Sequence, residues 1–318
     1  MKITVVGAGG NVGSAVALAI AQRDFAQEVV AVDIQVTRDG RTLEPAKGRA
    51  LDQWQTSPLH LFDTYLHGTT GYEATAGSDV CVITAGVPRG PGMSRDDLLE
   101  TNAGIVKGVA EQLAHHSPDT VIVVVSNPLD AMTYVAYRTS GLPPERVVGM
   151  AGVLDTARYR AFLAQELNIS PKDVQALILG GHGDSMVPLP RYTTVSGIPV
   201  TQLIAKDRLD EIIRRTQFGG GEFVEIMGTS AWYAPGAAAA QMVEAIALNQ
   251  NRILPCSAWV DGQYGLENLF VGVPVKLGRG GIREIIEIEL DADERKLLET
   301  SAADVRDSFE ALNRLMGL

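Results

Sequence analysis

Five short apolar runs punctuate the first half of the chain: Ile3 to Val6, Glu28 to Asp33, Val80 to Thr84, Val121 to Ser126 and Val147 to Met150. Helix-like stretches stand between them, at about 12–23, 44–56, 96–115 and 130–140. Strands separated by helices cannot pair as tight hairpins. They run parallel, with helices covering both faces, and strands so buried read as continuous apolar runs. The alternation predicts an α/β fold, a doubly wound parallel sheet over residues 1–149. After Gly149 the rhythm changes. Helices are expected at about 154–167, 206–217, 222–247 and 292–315, with a strand at about 175–179 and an antiparallel pair near 252–260 and 270–277. Residues 150–318 are therefore expected to form a second, mixed α/β domain.

The first link between strand and helix is GAGGNVG. Its glycines Gly7, Gly10 and Gly13 fit G-x-x-G-x-x-G rather than G-x-G-x-x-G. Glycines there permit a tight turn and let backbone N–H groups approach a pyrophosphate, beside the positive end of a helix. Asp33 closes the second strand 26 residues after Gly7. A carboxylate in that place accepts hydrogen bonds from an adenosine ribose and repels a 2′-phosphate, which favours NAD over NADP. By itself the loop is only a tight turn; strand, helix and acid together make it a dinucleotide site. Arg38 and Arg41 follow in IQVTRDGRTLEPAKG, a segment expected to be an extended loop near the adenosine end.

At 318 residues the chain is long enough for two domains. A net charge of −11 argues against nucleic acid and anionic membranes as partners. It also requires clustered arginines for any anionic substrate. No apolar run reaches the length of a membrane span. The first strand begins at about Ile3, which leaves no room for a targeting peptide. Cys81 and Cys256 belong to no metal-ligand or C-x-x-C pattern, so no metal site and a cytoplasmic setting are expected.

Four further stretches bring chemistry. TAGVPRGPGMSRDDLLETN carries Arg89 and Arg95 on a loop rich in glycine and proline, suited to closing over an anion. Ser94 and Asp97 have capping-box spacing, so a helix starts where that loop ends. VSNPLD places Asn127 at the end of a buried strand, where ligands bind in such sheets. Its Pro128 permits a cis bond. GVLDTARYRAFLA puts Asp155 and Arg158 three apart on one helix face. GGHGDSMVP sets His182 between glycines after an apolar strand. Taken singly these are surface arginines, a strand-ending turn, an intrahelical ion pair and a structural histidine.

In this order the motifs resemble the lactate/malate dehydrogenase family over essentially the whole chain. Within it the chain is most similar to the malate-specific members, through P-R-x-P-G-M-S-R and the GGGEFVE and TSAWYAPGAA stretches. The resemblance implies an N-terminal Rossmann domain with NAD as cofactor. It implies hydride exchange between NAD and C2 of malate or oxaloacetate. His182 is then the general acid/base, oriented by Asp155. Arg158 binds the C1 carboxylate, Arg95 polarises the C2 carbonyl, and Arg89 reads the C4 carboxylate. Asn127 bonds near the reacting carbonyl, and Ser230 belongs to the pocket wall. The implied cofactor set is Gly7, Gly10, Asn11, Val12, Gly13, Asp33, Thr84, Ala85, Gly86, Asn102, Val125 and Asn127. A homotetramer or homodimer is also implied.

The chemistry points the same way. Hydride addition to a ketone builds negative charge on oxygen, which a histidine near its pKa can neutralise with a proton. A dianion needs two cationic clamps, and arginine suits planar carboxylates. The alternatives are a dehydrogenase of another 2-hydroxy acid such as lactate, and an NAD-binding protein without turnover. A third is a metal-dependent glycosidase, which would need a Cys/His site. His60, His67, His115 and His116 are expected on the surface or in loops.

Overall fold

The computed structural model describes residues 1–88 and 94–317, and of Arg95 the backbone alone. Among them nine strands form one sheet: β1 (Lys2–Val6), β2 (Glu28–Val32), β3 (Tyr65–Thr69), β4 (Val80–Ile83), β5 (Val121–Val124), β6 (Val147–Gly149), β7 (Arg252–Val260), β8 (Leu269–Gly278) and β9 (Gly281–Ile285). Their order is β9-β8-β7-β6-β5-β4-β1-β2-β3. The first six are parallel to their neighbours. Their order, 3-2-1-4-5-6, is that of a dinucleotide-binding sheet, and it reverses between β1 and β4. The loops after those two strands therefore border the crevice where ligands bind. β7 joins β6 antiparallel at Ser257 and Gly149, so the second half of the chain extends the first sheet.

The helices are α1 (Asn11–Ala21), α2 (Pro45–Trp54), α3 (Ser57–His60), α4 (Arg95–His116), α5 (Leu129–Ser140), α6 (Gly152–Leu167), α7 (Lys206–Gln217), α8 (Gly219–Met227), α9 (Tyr233–Ala247) and α10 (Ala292–Met316). β4 and β5 are buried throughout, as their unbroken apolar runs require. The capping box at the start of α4 forms: Asp97 N–H donates to Ser94 Oγ, and Ser94 N–H to Asp97 Oδ2, both at 3.0 Å. A second, smaller core lies under α6 and α7, around Tyr159, Leu163 and Ile212. No helix among the described residues is long and apolar enough to cross a membrane.

Four expectations need correction. The helix expected over 222–247 is two helices. Gly228 takes a left-handed φ of 70° and caps α8, and Pro235 fits only the first turn of α9. The strand expected at 175–179 is two short ones, because Val174–Gln175 pairs with Thr194–Val195 while Ile178–Leu179 pairs with Val187–Pro188. The segment after Asp33 is a hairpin, Val36–Arg38 against Arg41–Leu43. Asp39 and Gly40 turn it with φ of 51° and 71°, the handedness that Asp-Gly favours between two strands. His67 lies on β3, half-buried, its Nε2 2.8 Å from Glu28 Oε1.

Candidate active site

The coenzyme end begins at Gly7, whose φ of +89° turns the chain out of β1. A Cβ on Gly13 would overlap the Gly7 carbonyl oxygen and stand 2.6 Å from Thr84 Oγ1. α1 thus starts hard against the strand ends, with Gly10 as its N-cap and no side chain satisfying its first N–H groups. That leaves an uncapped helix start, with Asn11 and Val12 in its first turn, facing the crevice. Asp33 Oδ2 accepts from Gly9 N–H at 2.8 Å, which ties the acid of the second strand to the glycine loop.

Thr84 Oγ1 donates to the Val6 carbonyl at 2.9 Å, and Ser126 Oγ to the Ala85 carbonyl at 2.6 Å. The ends of β1, β4 and β5 are thereby joined. Asn102 locks the next piece: its Nδ2 donates to the Asn127 carbonyl at 2.8 Å, and its Oδ1 accepts from Val87 N–H at 2.8 Å. The Asn127–Pro128 bond is cis.

A cavity of about 910 Å³ opens from these strand ends into the second half. It is lined by Val12, Thr84, Gly86, Asn102, Val125 and Asn127 on one side. Asp155, Arg158, His182 and Ser230 line it on the other. Gly7, Gly10, Asn11, Gly13, Asp33 and Ala85, expected to hold the coenzyme, are not among the residues that line it. Arg89 and the side chain of Arg95 lie outside the described residues.

His182 Nδ1 is 2.8 Å from Asp155 Oδ2. The Asp155 side chain is 1% exposed, so its charge meets little water. Arg158 approaches the other oxygen, Nη1 to Oδ1 at 3.4 Å, and its Nε is buried with no hydrogen-bond partner. Burial lowers the pKa of Arg158, but not far enough to discharge a guanidinium. Burial is also the largest influence on His182 and disfavours the imidazolium. Asp155, through charge and hydrogen bond, with Asp130 behind it, outweighs burial and raises the pKa. A histidine held so is a poised proton donor with Nε2 left free. The Arg158 guanidinium beside it lines the same cavity, and its planar shape suits a carboxylate.

Sequence reasoning assigned no role to Asp130. Its carboxylate is buried and accepts from His182 N–H at 2.9 Å and from Ser257 Oγ at 2.7 Å. Ser301 Oγ accepts from Gly181 N–H at 2.8 Å. α5, β7 and α10 thus each hold the histidine segment. An acid inside the apolar stretch LDAMTYVAY was the available signal. Ser257 and Ser301 carried none, since their partners are more than 100 residues away.

Two family models match the chain. The lactate/malate dehydrogenase NAD-binding domain matches residues 1–149, and the lactate/malate dehydrogenase alpha/beta C-terminal domain residues 152–315. A malate dehydrogenase of Salinibacter ruber is 61% identical over 315 residues, covering 99% of this chain and 98% of that one. One of Cytophaga hutchinsonii is 56% identical, covering 100% and 99%. A solved structure of malate dehydrogenase from Salinibacter ruber superposes with a TM-score of 0.93 at 58% identity, covering 100% of this chain and 99% of that one.

Proposed function

The chain belongs to the lactate/malate dehydrogenase family, and on that ground we propose that it interconverts malate and oxaloacetate with NAD as cofactor. The observation that carries the reading is the meeting, in one cavity, of Val12 and the ends of β4 and β5 with the Asp155–His182 pair and the Arg158 guanidinium. The glycine loop fits a dinucleotide: side chains at Gly7 and Gly13 would collide with Thr84 and the Gly7 carbonyl, so only glycines let the start of α1 pack this closely on the strand ends and leave its N–H groups to a pyrophosphate. Asp33 supports NAD over NADP.

NAD, when bound, supplies or takes the hydride. Of the chain's own groups, His182 gives a proton from Nε2 to the C2 oxygen during reduction and takes it back during oxidation. Asp155 holds the Nδ1–H and stabilises the imidazolium, so the ring keeps one orientation through both directions. Arg158, on the cavity wall, pairs with the C1 carboxylate. Asn127, fixed by Asn102, bonds beside the reacting carbonyl, and Ser230 closes the wall. Arg95 polarises the carbonyl and Arg89 meets the C4 carboxylate; these two roles rest on the sequence.

Residues 1–149 hold the coenzyme in this reading, and residues 150–318 supply the substrate groups. A homotetramer or homodimer is supported by exposed apolar side chains, among them Trp54 and Tyr65, whose rings meet edge to face with centroids 5.5 Å apart, and Leu51, Leu59 and Leu61. A cytoplasmic setting is supported by Cys81 and Cys256, both free and buried. The test of the function is NADH and NADPH oxidation with a panel of 2-oxo acids. Oxaloacetate with NADH is expected to exceed every other combination; a pyruvate preference would reassign the substrate.

A further inference from the structure

An ion pair that the mechanism above leaves unused joins α7 to α8. Arg215 Nη2 donates to Glu222 Oε1 at 2.7 Å, and Arg215 Nε to Glu222 Oε2 at 3.1 Å. The guanidinium also lies 4.1 Å from the ring centroid of Phe162, one turn beyond Arg158 on α6. The two charged side chains are 48% and 36% exposed, and ion pairs so exposed add little to stability. Their position matters more, because both line the cavity.

Among the described residues, the cavity's positive groups are Arg158, Arg215 and His182, and its carboxylates are Asp155, Asp184, Glu222 and Glu225. Each unpaired carboxylate in such a wall disfavours a dianion; Asp184 and Glu225 have no ion-pair partner among the described residues, so the pairing of the other two matters the more. Asp155 is covered by His182 and Arg158. Glu222 is paired with Arg215, whose hydrogen bonds hold its carboxyl below the usual range and therefore ionised. The same corner of the fold touches the site twice more. Gln217 Nε2 donates at 3.1 Å to the carbonyl of Met186, in the segment that follows His182. A Cβ on Gly219 would stand 3.5 Å from Arg158 Cδ.

We infer that Arg215 is a positioning residue for the dicarboxylate: it neutralises Glu222 on the cavity wall and holds the start of α8 beside Arg158. The inference rests on the reading of the substrate as a dianion. Arg215→Met keeps a stem on Phe162 and removes the charge, which leaves Glu222 uncompensated in the wall.

The experiment is steady-state reduction of oxaloacetate by the full-length protein with Arg215→Met, with Glu222→Gln, and with both. Arg215→Met is expected to raise KM on the order of three- to tenfold, with kcat changed by about twofold or less. Adding Glu222→Gln is expected to return KM to near the starting value, because the unpaired carboxylate is gone. A merely structural role would not be rescued by a second loss of the same contact. Glu222→Gln alone is expected to leave KM equal or lower, and this arm decides the matter if Arg215→Met does not fold. An unchanged KM in Arg215→Met, a raised KM that persists in the double variant, or a raised KM in Glu222→Gln alone overturns the inference. Failure of the unmodified protein to reduce oxaloacetate would instead remove the functional reading, so the two failures are separable.

Discussion

His182 and Asp155 are joined Nδ1 to Oδ2 at 2.8 Å across 27 residues of sequence, and this contact sets the charge of the imidazole. Burial disfavours the imidazolium, Asp155 more than offsets it, and the pKa ends above its ordinary value. With His182 as the proposed proton carrier, the reduction of oxaloacetate is expected to need the protonated ring and the oxidation of malate the neutral one. Accordingly, kcat/KM for oxaloacetate is expected to fall, and that for malate to rise, through a midpoint above about pH 6.5. Asp155→Asn is expected to move that midpoint to lower pH and to cost on the order of a thousandfold in kcat. The same linkage acts on stability. Because the folded pKa is raised, the pair contributes fully below about pH 6.5 and loses its contribution as pH rises through the folded pKa. Parallel pH profiles in the two directions would contradict this assignment.

Gly13 tests the coenzyme cradle. A methyl group there meets the Gly7 carbonyl and Thr84 Oγ1, and both are fixed by hydrogen bonds. Overpacking of this kind costs about 1–3 kcal/mol in folding and is relieved by moving the start of α1 off the strand ends; with its N–H groups displaced, Gly13→Ala is expected to weaken NADH binding by about tenfold, which corresponds to about 1.4 kcal/mol. Fluorescence titration with NADH reads the effect directly, and unaltered affinity would move the pyrophosphate elsewhere.

Asp130 is a matter of stability first. Removing its carboxylate leaves His182 N–H and Ser257 Oγ without their acceptor, at about 1–3 kcal/mol each. Asp130→Ala is therefore expected to lower the free energy of unfolding measurably in a urea titration. A loss below about 0.5 kcal/mol would place the anchoring of the His182 segment on Ser301 and the neighbouring backbone instead.

Much of the first half was legible because its signals are local. Buried parallel strands such as Val121–Val124 show as unbroken apolar runs, and Ser94 with Asp97 marks a helix start within four residues. The hairpin at Asp39–Gly40 was equally local and was overlooked, as were Gly228 and Pro235 at the break between α8 and α9. The candidate site was legible only as an ordered set of motifs. Its supports were not. Asp130 meets Ser257 across 127 residues, and nothing in a linear reading measures that distance. The edge strand β3 was hidden for another reason: in Tyr65–Thr69 only Leu66 is fully buried, so it has no continuous apolar run.

Arg89 is expected to govern substrate choice. Its place lies outside the described residues, and the expectation comes from its position six residues before Arg95 on the glycine- and proline-rich loop. Arg89→Gln removes the charge expected to pair with a second carboxylate. Truncating a buried charged pair typically costs about 2–5 kcal/mol, on the order of 30- to several-thousand-fold in kcat/KM for oxaloacetate. Pyruvate is expected to gain, since no unpaired cation then faces its methyl group. An oxaloacetate-to-pyruvate ratio unmoved by the substitution would remove Arg89 from specificity.

The proton transfer at His182 is the centre of the account, and His182→Asn addresses it most directly, since the amide keeps polarity and bulk but cannot exchange a proton near neutrality. The measurement is turnover in both directions beside NADH affinity. The expected result is a loss on the order of a thousandfold in kcat for malate oxidation and for oxaloacetate reduction alike, with NADH bound within about threefold of the unmodified protein. Turnover within tenfold of normal in either direction, with the coenzyme still bound, would contradict it.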